Sequence, residues 1–286
     1  MKALARWLVV VACGMALIPT VPAQEPGTNS GRKLSVVKGP AQARLGSHAQ
    51  IDLPSGYVFL DGAEYRRLLK AEGEPVSGDE VGWLKPTNQE WAVVFHFSGI
   101  GYVKDDDKDK LDADKLLDSI RRGTAEANKV RAKAGHPPIE VIGWDVRPKY
   151  DETTHNLEWA VRGQCEGQPI LNYNTRLLGR KGVMGAVLIV EPDKLNEALP
   201  TVRELLTGYR YTTGESYAEY KPGDKVAKYG LGALVVGGAA VGAAKLGMFA
   251  WLAVFFKKAY KLIVVALVAA AAFLKKLFTR QGTRTE

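Results

Sequence analysis

Cysteine is nearly absent from this chain: two residues, Cys13 and Cys165, among 286. Cys13 lies in an N-terminal apolar run, and removal of that run leaves one thiol and no intrachain disulfide. Stability then has to come from a packed core, which a domain of this size can supply. No cluster of basic residues or histidines flanks Cys165, so it reads as a passive thiol rather than a stabilised thiolate. Histidine is scarce too, at four residues.

Catalytic signatures are missing as well. There is no Gly-x-Ser-x-Gly, HExxH, CxxC or P-loop motif, each of which would place a nucleophile, a metal or a phosphate by local geometry. Asp105, Asp107 and Asp109 imitate the first ligands of a calcium loop. The sixth position, which needs glycine for the turn, is Lys110, and the twelfth, which needs a bidentate glutamate, is Leu116. A solvated loop followed by a helix cap at Asp112 is the better reading. No cofactor or metal site is expected. Because catalytic groups need only meet in space, a membrane-anchored hydrolase using His96, His155, Asp145, Asp151 and Glu158 stands as an alternative. The plain reading of His96 is a surface or hydrogen-bonded residue on a strand, and of His155 a polar turn residue.

The soluble part also lacks a charge excess. The chain carries a formal net charge of +8, but residues 24–222 hold 27 Lys and Arg against 29 Asp and Glu, whereas residues 223–286 hold 10 against 2. The basic surplus therefore flanks an apolar region, and nucleic-acid binding loses its main support.

What is present in abundance is apolar sequence at the two ends. Met1 to Ala23 has a basic start (Lys2, Arg6), an apolar stretch and a small-residue site at Val21-Pro22-Ala23, and reads as a secretory signal cleaved near Ala23. An uncleaved anchor and a lipoprotein signal around Cys13 are the competing readings. Residues 229–256 are apolar except for Lys245, long enough for a transmembrane helix. The rest divides into a polar linker (24–38), an extracytoplasmic domain (39–207), a tyrosine-rich juxtamembrane connector (208–228) and a basic tail (257–286). Tyr209, Tyr211, Tyr217, Tyr220 and Tyr229 suit a headgroup belt.

Within the domain, 49–53 and 57–60 read as strands. Asp61 with Glu64 has capping-box spacing for a short helix through Tyr65, Leu68 and Leu69, ending near Gly73. Residues 81–85 and 91–97 alternate as strands, with Trp91, Val93, Phe95 and Phe97 on one face and Val94 and His96 on the other. Ile100 to Val103 extends the second strand after a bend. Residues 114–134 form a helix with a thin apolar stripe (Leu116, Leu117, Ile120, Ala127, Val130). Four strand-length segments follow, 139–147, 157–163, 170–178 and 183–190, with connectors too short for parallel crossovers. A helix over 193–206, with Asp193 as its cap and Pro200 as a kink or break, completes the set. The pattern predicts an α+β fold: a mainly antiparallel sheet with two or three packed helices, followed by C-terminal membrane helical segments.

Gly82-Trp83-Leu84-Lys85-Pro86, Asp112-Ala113-Asp114, Gly143-Trp144 before Tyr150-Asp151, and Lys221-Pro222-Gly223-Asp224-Lys225-Val226-Ala227 before a Gly/Ala-rich apolar segment form a set. Together they resemble a bacterial family of membrane-anchored proteins, domain of unknown function 2167, over roughly Val36 to Phe278. The resemblance implies a bacterial envelope location and brings no reaction, cofactor or functional residue.

The membrane end has its own candidates. Gly238 and Gly242 form a small-xxx-small pair that permits close helix approach and a homodimer, and Lys245 either snorkels or faces a partner. Lys257 and Lys258 precede a second apolar run, 262–274, closed by Lys275 and Lys276. With the domain outside, the first pair satisfies the positive-inside rule. The second run is short for a span and reads as an interfacial helix on anionic lipid, with a two-helix hairpin as the alternative. The expectation is an inner-membrane protein whose domain faces the periplasm. It is read as a non-enzymatic interaction or scaffold module for another envelope protein, with a transporter accessory subunit as a further alternative.

Overall fold

The computed structural model describes residues 33–72, 76–133 and 137–237. Its centre is an eight-stranded sheet in the order β1-β4-β5-β6-β10-β9-β8-β7, antiparallel at every pairing. The strands are β1 (Val37–Lys38), β4 (Tyr57–Asp61), β5 (Glu80–Pro86), β6 (Ala92–Ser98), β7 (Ile139–Asp151), β8 (Asn156–Cys165), β9 (Gln168–Leu178) and β10 (Val183–Ile189). A smaller antiparallel sheet, β11-β3-β2, is built from β2 (Ala41–Leu45), β3 (Ala49–Leu53) and β11 (Tyr209–Tyr211). The helices are α1 (Gly62–Ala71), α2 (Ala113–Lys133) and α3 (Leu195–Thr207), and a fourth, α4, begins at 231 and runs to the last described residue. The α+β expectation and the antiparallel meander hold.

Alternation explains why the large sheet is covered on both sides. Along β6, Val93 and Phe95 point to one face and Val94 to the other, all with no exposure. The first face packs on the small sheet and α3, joining Leu45, Ile51, Leu53, Phe59, Phe95, Tyr173, Met184 and Leu188 in the main core. On the second face, α1 closes one end with Tyr65 and Leu69 against Leu60, Val94 and Ile189. Towards the other end, α2 lies on β7, and Val103, Tyr217, Leu231 and Val235 cover Leu157 and Trp159.

Local chemistry sets the element ends. Asp61 caps α1 by accepting the Glu64 N–H at 2.9 Å, and Asp112 accepts the Lys115 N–H at 3.1 Å in the first turn of α2. The β8–β9 turn places Glu166 and Gly167 at φ 50 and 74, the left-handed pair that a two-residue hairpin requires.

Three expectations need correction. Asp193 does not cap α3, because Pro192–Lys194 forms a 3₁₀ turn and the N-cap position falls on Lys194. Pro200 does not break α3; it and Asn196 are exposed, so the carbonyl that loses its donor faces water. Residues 100–103 do not extend β6. They form a loop joined to the chain's later part by the Tyr102 N–H to Lys225 O bond at 2.8 Å and the Ala227 N–H to Tyr102 O bond at 2.8 Å.

The segment read as a connector folds into the domain. β11 pairs with β3, and the Tyr211 hydroxyl accepts the Met184 N–H at 3.0 Å and donates to Leu177 O at 2.7 Å. Tyr217 donates to Val103 O at 3.0 Å and stacks on Tyr102, which Tyr220 also faces. Tyr209 packs edge-on against Tyr211, so all four of Tyr209, Tyr211, Tyr217 and Tyr220 have a polar or an aromatic partner within the domain and are not free to form a headgroup belt; Tyr229 is half exposed. The last residues of the stretch read as linker also join the domain, with the Ser35 N–H donating to Glu64 Oε2 at 3.1 Å and β1 pairing with β4.

Candidate functional site

The middle of the second sheet face, between the ends held by α1 and α2, is polar. The register sets the order of its residues: His96 on β6 pairs with Gly185 on β10, and Gly185 pairs with Arg176 on β9. His96 and Arg176 are thus two strand spacings apart, about 10 Å, with a residue lacking a side chain between them. The Arg176 guanidinium occupies that space: its Nη1 lies 2.9 Å from where a Cβ on Gly185 would stand. On its other side the guanidinium carbon is 4.9 Å from the centroid of the Trp159 ring, a cation–π contact.

This cluster holds unused hydrogen-bonding capacity. Arg176 Nη1, both ring nitrogens of His96 and Asn172 Oδ1 are buried without a hydrogen-bond partner in the protein. Arg176 Nη2 makes one long contact, 3.5 Å to Asn174 Oδ1, and Asn174 donates to Asn172 O at 3.1 Å. Two acids lie beside the cluster: Asp79, 3.6 Å from His96 Nδ1, longer than a hydrogen bond, and the buried Glu80 opposite His96, which accepts from Ser77 and Gly78. Burial pushes Asp79 up, but His96 and Ser77 more than offset it and hold the carboxyl below its usual range. Burial pushes Arg176 down to about 10, opposed only by the more distant Asp79. Arg176 therefore stays a cation at neutral pH, and among the described residues no carboxylate lies within ion-pair distance of it. Most buried polar groups are satisfied, and leaving one unpaired costs about 1–3 kcal/mol.

The other acid and base candidates are separate and spent. His155, in the β7–β8 turn at φ 53, lies 3.0 Å from the Tyr150 hydroxyl and packs on Tyr217. Tyr150 also donates to Asp105 Oδ2 at 3.0 Å. Asp145 accepts two bonds from Arg162, at 2.8 and 2.7 Å. Asp151 accepts the Thr153 and Thr154 N–H groups, which hold it below its usual range. Glu158 accepts from Tyr173 at 2.5 Å and Arg203 at 2.8 Å. Among the described residues no hydrogen bond or ion pair joins any two of His96, His155, Asp145, Asp151 and Glu158. Among the described residues no cluster of three or more His, Cys, Asp and Glu could hold a metal ion.

The acidic loop has a structural task instead. Asp107 Oδ1 accepts the Leu231 N–H at 3.0 Å and Oδ2 the Gly232 N–H at 3.3 Å, capping α4. Gly238, Gly242, Lys245, Lys257, Lys258, Lys275 and Lys276 lie outside the described residues, as do the second apolar run and the signal.

Arg176 and Asn174 were missed in the sequence because a strand reading Asn172, Asn174, Arg176 at alternate positions looks like a solvent face. The signal that would have found them is the glycine opposite, inside a strand otherwise made of apolar residues.

The structure thus defines an α+β domain on two antiparallel sheets, with a polar cluster in the second face of the larger one and a capped helix packed against it at the end of the described residues. Over residues 37–269 the chain matches the family described as "Protein of unknown function (DUF2167)", and it belongs to that family. Comparison with curated proteins gives no match. Among solved structures, cyanobacterial PsbP (CyanoP) from Synechocystis sp. PCC 6803 is 11% identical, covering 67% of this chain and 100% of that one at a TM-score of 0.35. The protein of unknown function PA94 from Pseudomonas aeruginosa is 13% identical over 57% of this chain and 91% of its own, at 0.24. The T6SS immunity protein TplEi from Pseudomonas aeruginosa is 9% identical over 64% and 79%, at 0.26. At these TM-scores none of the three carries an argument about this chain.

Proposed function

We propose that this is a membrane-anchored envelope protein whose α+β domain faces the periplasm and serves as a non-enzymatic interaction module for another envelope protein. The observation that carries the reading is the junction. Leu231 and Val235, the first residues of the apolar stretch to be buried, sit in the domain core, and Asp107 caps their helix. The apolar stretch is thereby divided, its first turns belonging to the domain and the remainder left for the bilayer. Residues 238–256 leave 19 positions, about 28 Å of helix, close to the thickness of a bilayer's hydrocarbon core. Among the described residues no helix is long and apolar enough to cross a membrane. Lys257 and Lys258 then fall at the cytoplasmic end, and Gly238 and Gly242 offer a face for self-association. The separate, structurally committed carboxylates favour binding over hydrolysis.

The test is cysteine accessibility in intact cells, with both native thiols replaced and reporters at Lys221→Cys and Thr283→Cys. Labelling of the first and protection of the second by a membrane-impermeant maleimide is the expected outcome. Labelling of both establishes a two-helix hairpin. Protection of the first overturns the exported domain.

A further inference from the structure

We propose that the second face of the large sheet carries an anion-binding site, in which the Arg176 guanidinium, lying over Gly185 and flanked by His96 and Asn174, takes a carboxylate or phosphoryl group. The inference concerns the domain alone and holds on whichever side of a membrane the domain sits.

Charge and hydrogen bonding converge on this ligand class. Arg176 brings a full positive charge into the sheet with Nη1 unpartnered and only one long bond from Nη2. A buried cation without a contact counter-ion is costly, and its planar fork matches the two oxygens of a carboxylate or phosphoryl group. His96 Nδ1 stands 3.6 Å from Asp79, which leaves its Nε2, buried without a hydrogen-bond partner, to donate when protonated. Two acids stand on the His96 side: Asp79 is half exposed, and the buried Glu80, paired with His96 in the register, has its carboxylate taken up by Ser77 and Gly78, so neither closes off the guanidinium.

Shape supports the same placement. Gly185 leaves the sheet bare beneath Nη1, where any larger residue would displace the guanidinium, and Trp159 holds the opposite side. Asn172, Asn174, Arg176 and Val187 are all only partly buried although they lie on central strands, so the rim of the cluster meets solvent while Arg176 Nη1 and the His96 nitrogens lie beneath it. A purely structural arginine at this point would be expected to find a carboxylate, and the strand instead offers it the neutral Asn174.

The experiment uses the full chain in detergent micelles at pH 7 and fixed ionic strength. Sodium phosphate and sodium acetate are titrated separately, followed by thermal midpoint and by tryptophan fluorescence, since Trp159 adjoins the guanidinium. A saturable response is expected in the wild type. Arg176→Gln should lose it. Asn174→Asp, which supplies an internal carboxylate to the same guanidinium, should weaken binding at least tenfold while leaving the thermal midpoint equal or higher. If Arg176→Gln fails to fold, Asn174→Asp decides alone. Saturation by phosphate only assigns a phosphoryl ligand, and saturation by acetate as well assigns carboxylates. No saturable response in the wild type, or one undiminished in Asn174→Asp, overturns the site.

Discussion

Asp107 caps Leu231 from 124 positions earlier in the chain, its Oδ1 accepting the Leu231 N–H at 3.0 Å. Gly230 makes the approach possible, because a Cβ there would stand 2.5 Å from Asp107 Oδ2. The carboxylate that imitates a calcium ligand thus ties the loop before α2 to the root of α4. Loss of such a cap costs about 1 kcal/mol. Asp107→Ala should lower the thermal midpoint accordingly, whereas Asp109→Ala, at an exposed position, should stay within about 0.5 kcal/mol of the wild type. Millimolar calcium should shift neither midpoint.

Acid should act first on the chain's return to the domain. Arg180 donates to both oxygens of Asp224, at 2.7 and 2.8 Å, and holds that carboxyl down at about 2 against its ordinary 3.8. Glu219 is held low by Ser216 and Gly214. Glu215 is raised by burial, but bonds from Lys181 and His48 bring it below its ordinary value. Folded values below unfolded ones contribute stability above the unfolded pKa and lose it as pH falls through the folded one. Thermal midpoints should therefore be flat near neutrality and fall from about pH 4.5 towards 2. Arg180→Gln should flatten the part of that fall below 3.8.

The two Gly-Trp pairs should differ in their sensitivity to an added methyl group. A Cβ on Gly82 would meet Phe59 at 2.6 Å and Leu45 at 2.7 Å, both in the main core. Gly82→Ala should cost about 1–3 kcal/mol through overpacking. Gly143 has nothing within 4 Å of its missing Cβ, so Gly143→Ala should change the midpoint by less than about 0.5 kcal/mol equivalent. Denaturant unfolding of the two variants side by side checks the pair.

Periodicity was legible where both partners of a pattern were local. The alternation from Trp91 to Phe97 assigned each side chain to its face, and the short connectors after Pro138 gave the meander. The tyrosines near the apolar run were not legible, because a headgroup belt and a domain edge produce the same composition. What separates them is distance in sequence: Arg210 pairs with Asp52 across 158 positions, and Tyr217 reaches Val103 across 114. The polar cluster was hidden for a related reason. Asn174 and Arg176 alternate with Tyr173 and Leu177 as outward residues do, and only the packing at both ends of the second face turns that outside into a half-buried site.

The border between domain and apolar tail is set by the same long-range packing. Leu231 has no exposure and packs with Leu157 and Trp159, although it belongs to the run that the sequence reads as membrane. If this core contact operates, Leu231→Ala removes a buried side chain from the domain and should cost about 2–5 kcal/mol, seen as earlier unfolding of the domain by tryptophan fluorescence in micelles. Leu234→Ala, at a partly buried position on the same helix, should cost less. If residue 231 instead sits in lipid, the domain's unfolding should be unchanged by Leu231→Ala. The span would then have to begin before the Asp107 cap, and the two requirements are incompatible, since a lipid-embedded N–H cannot be capped by a carboxylate at the surface of the domain.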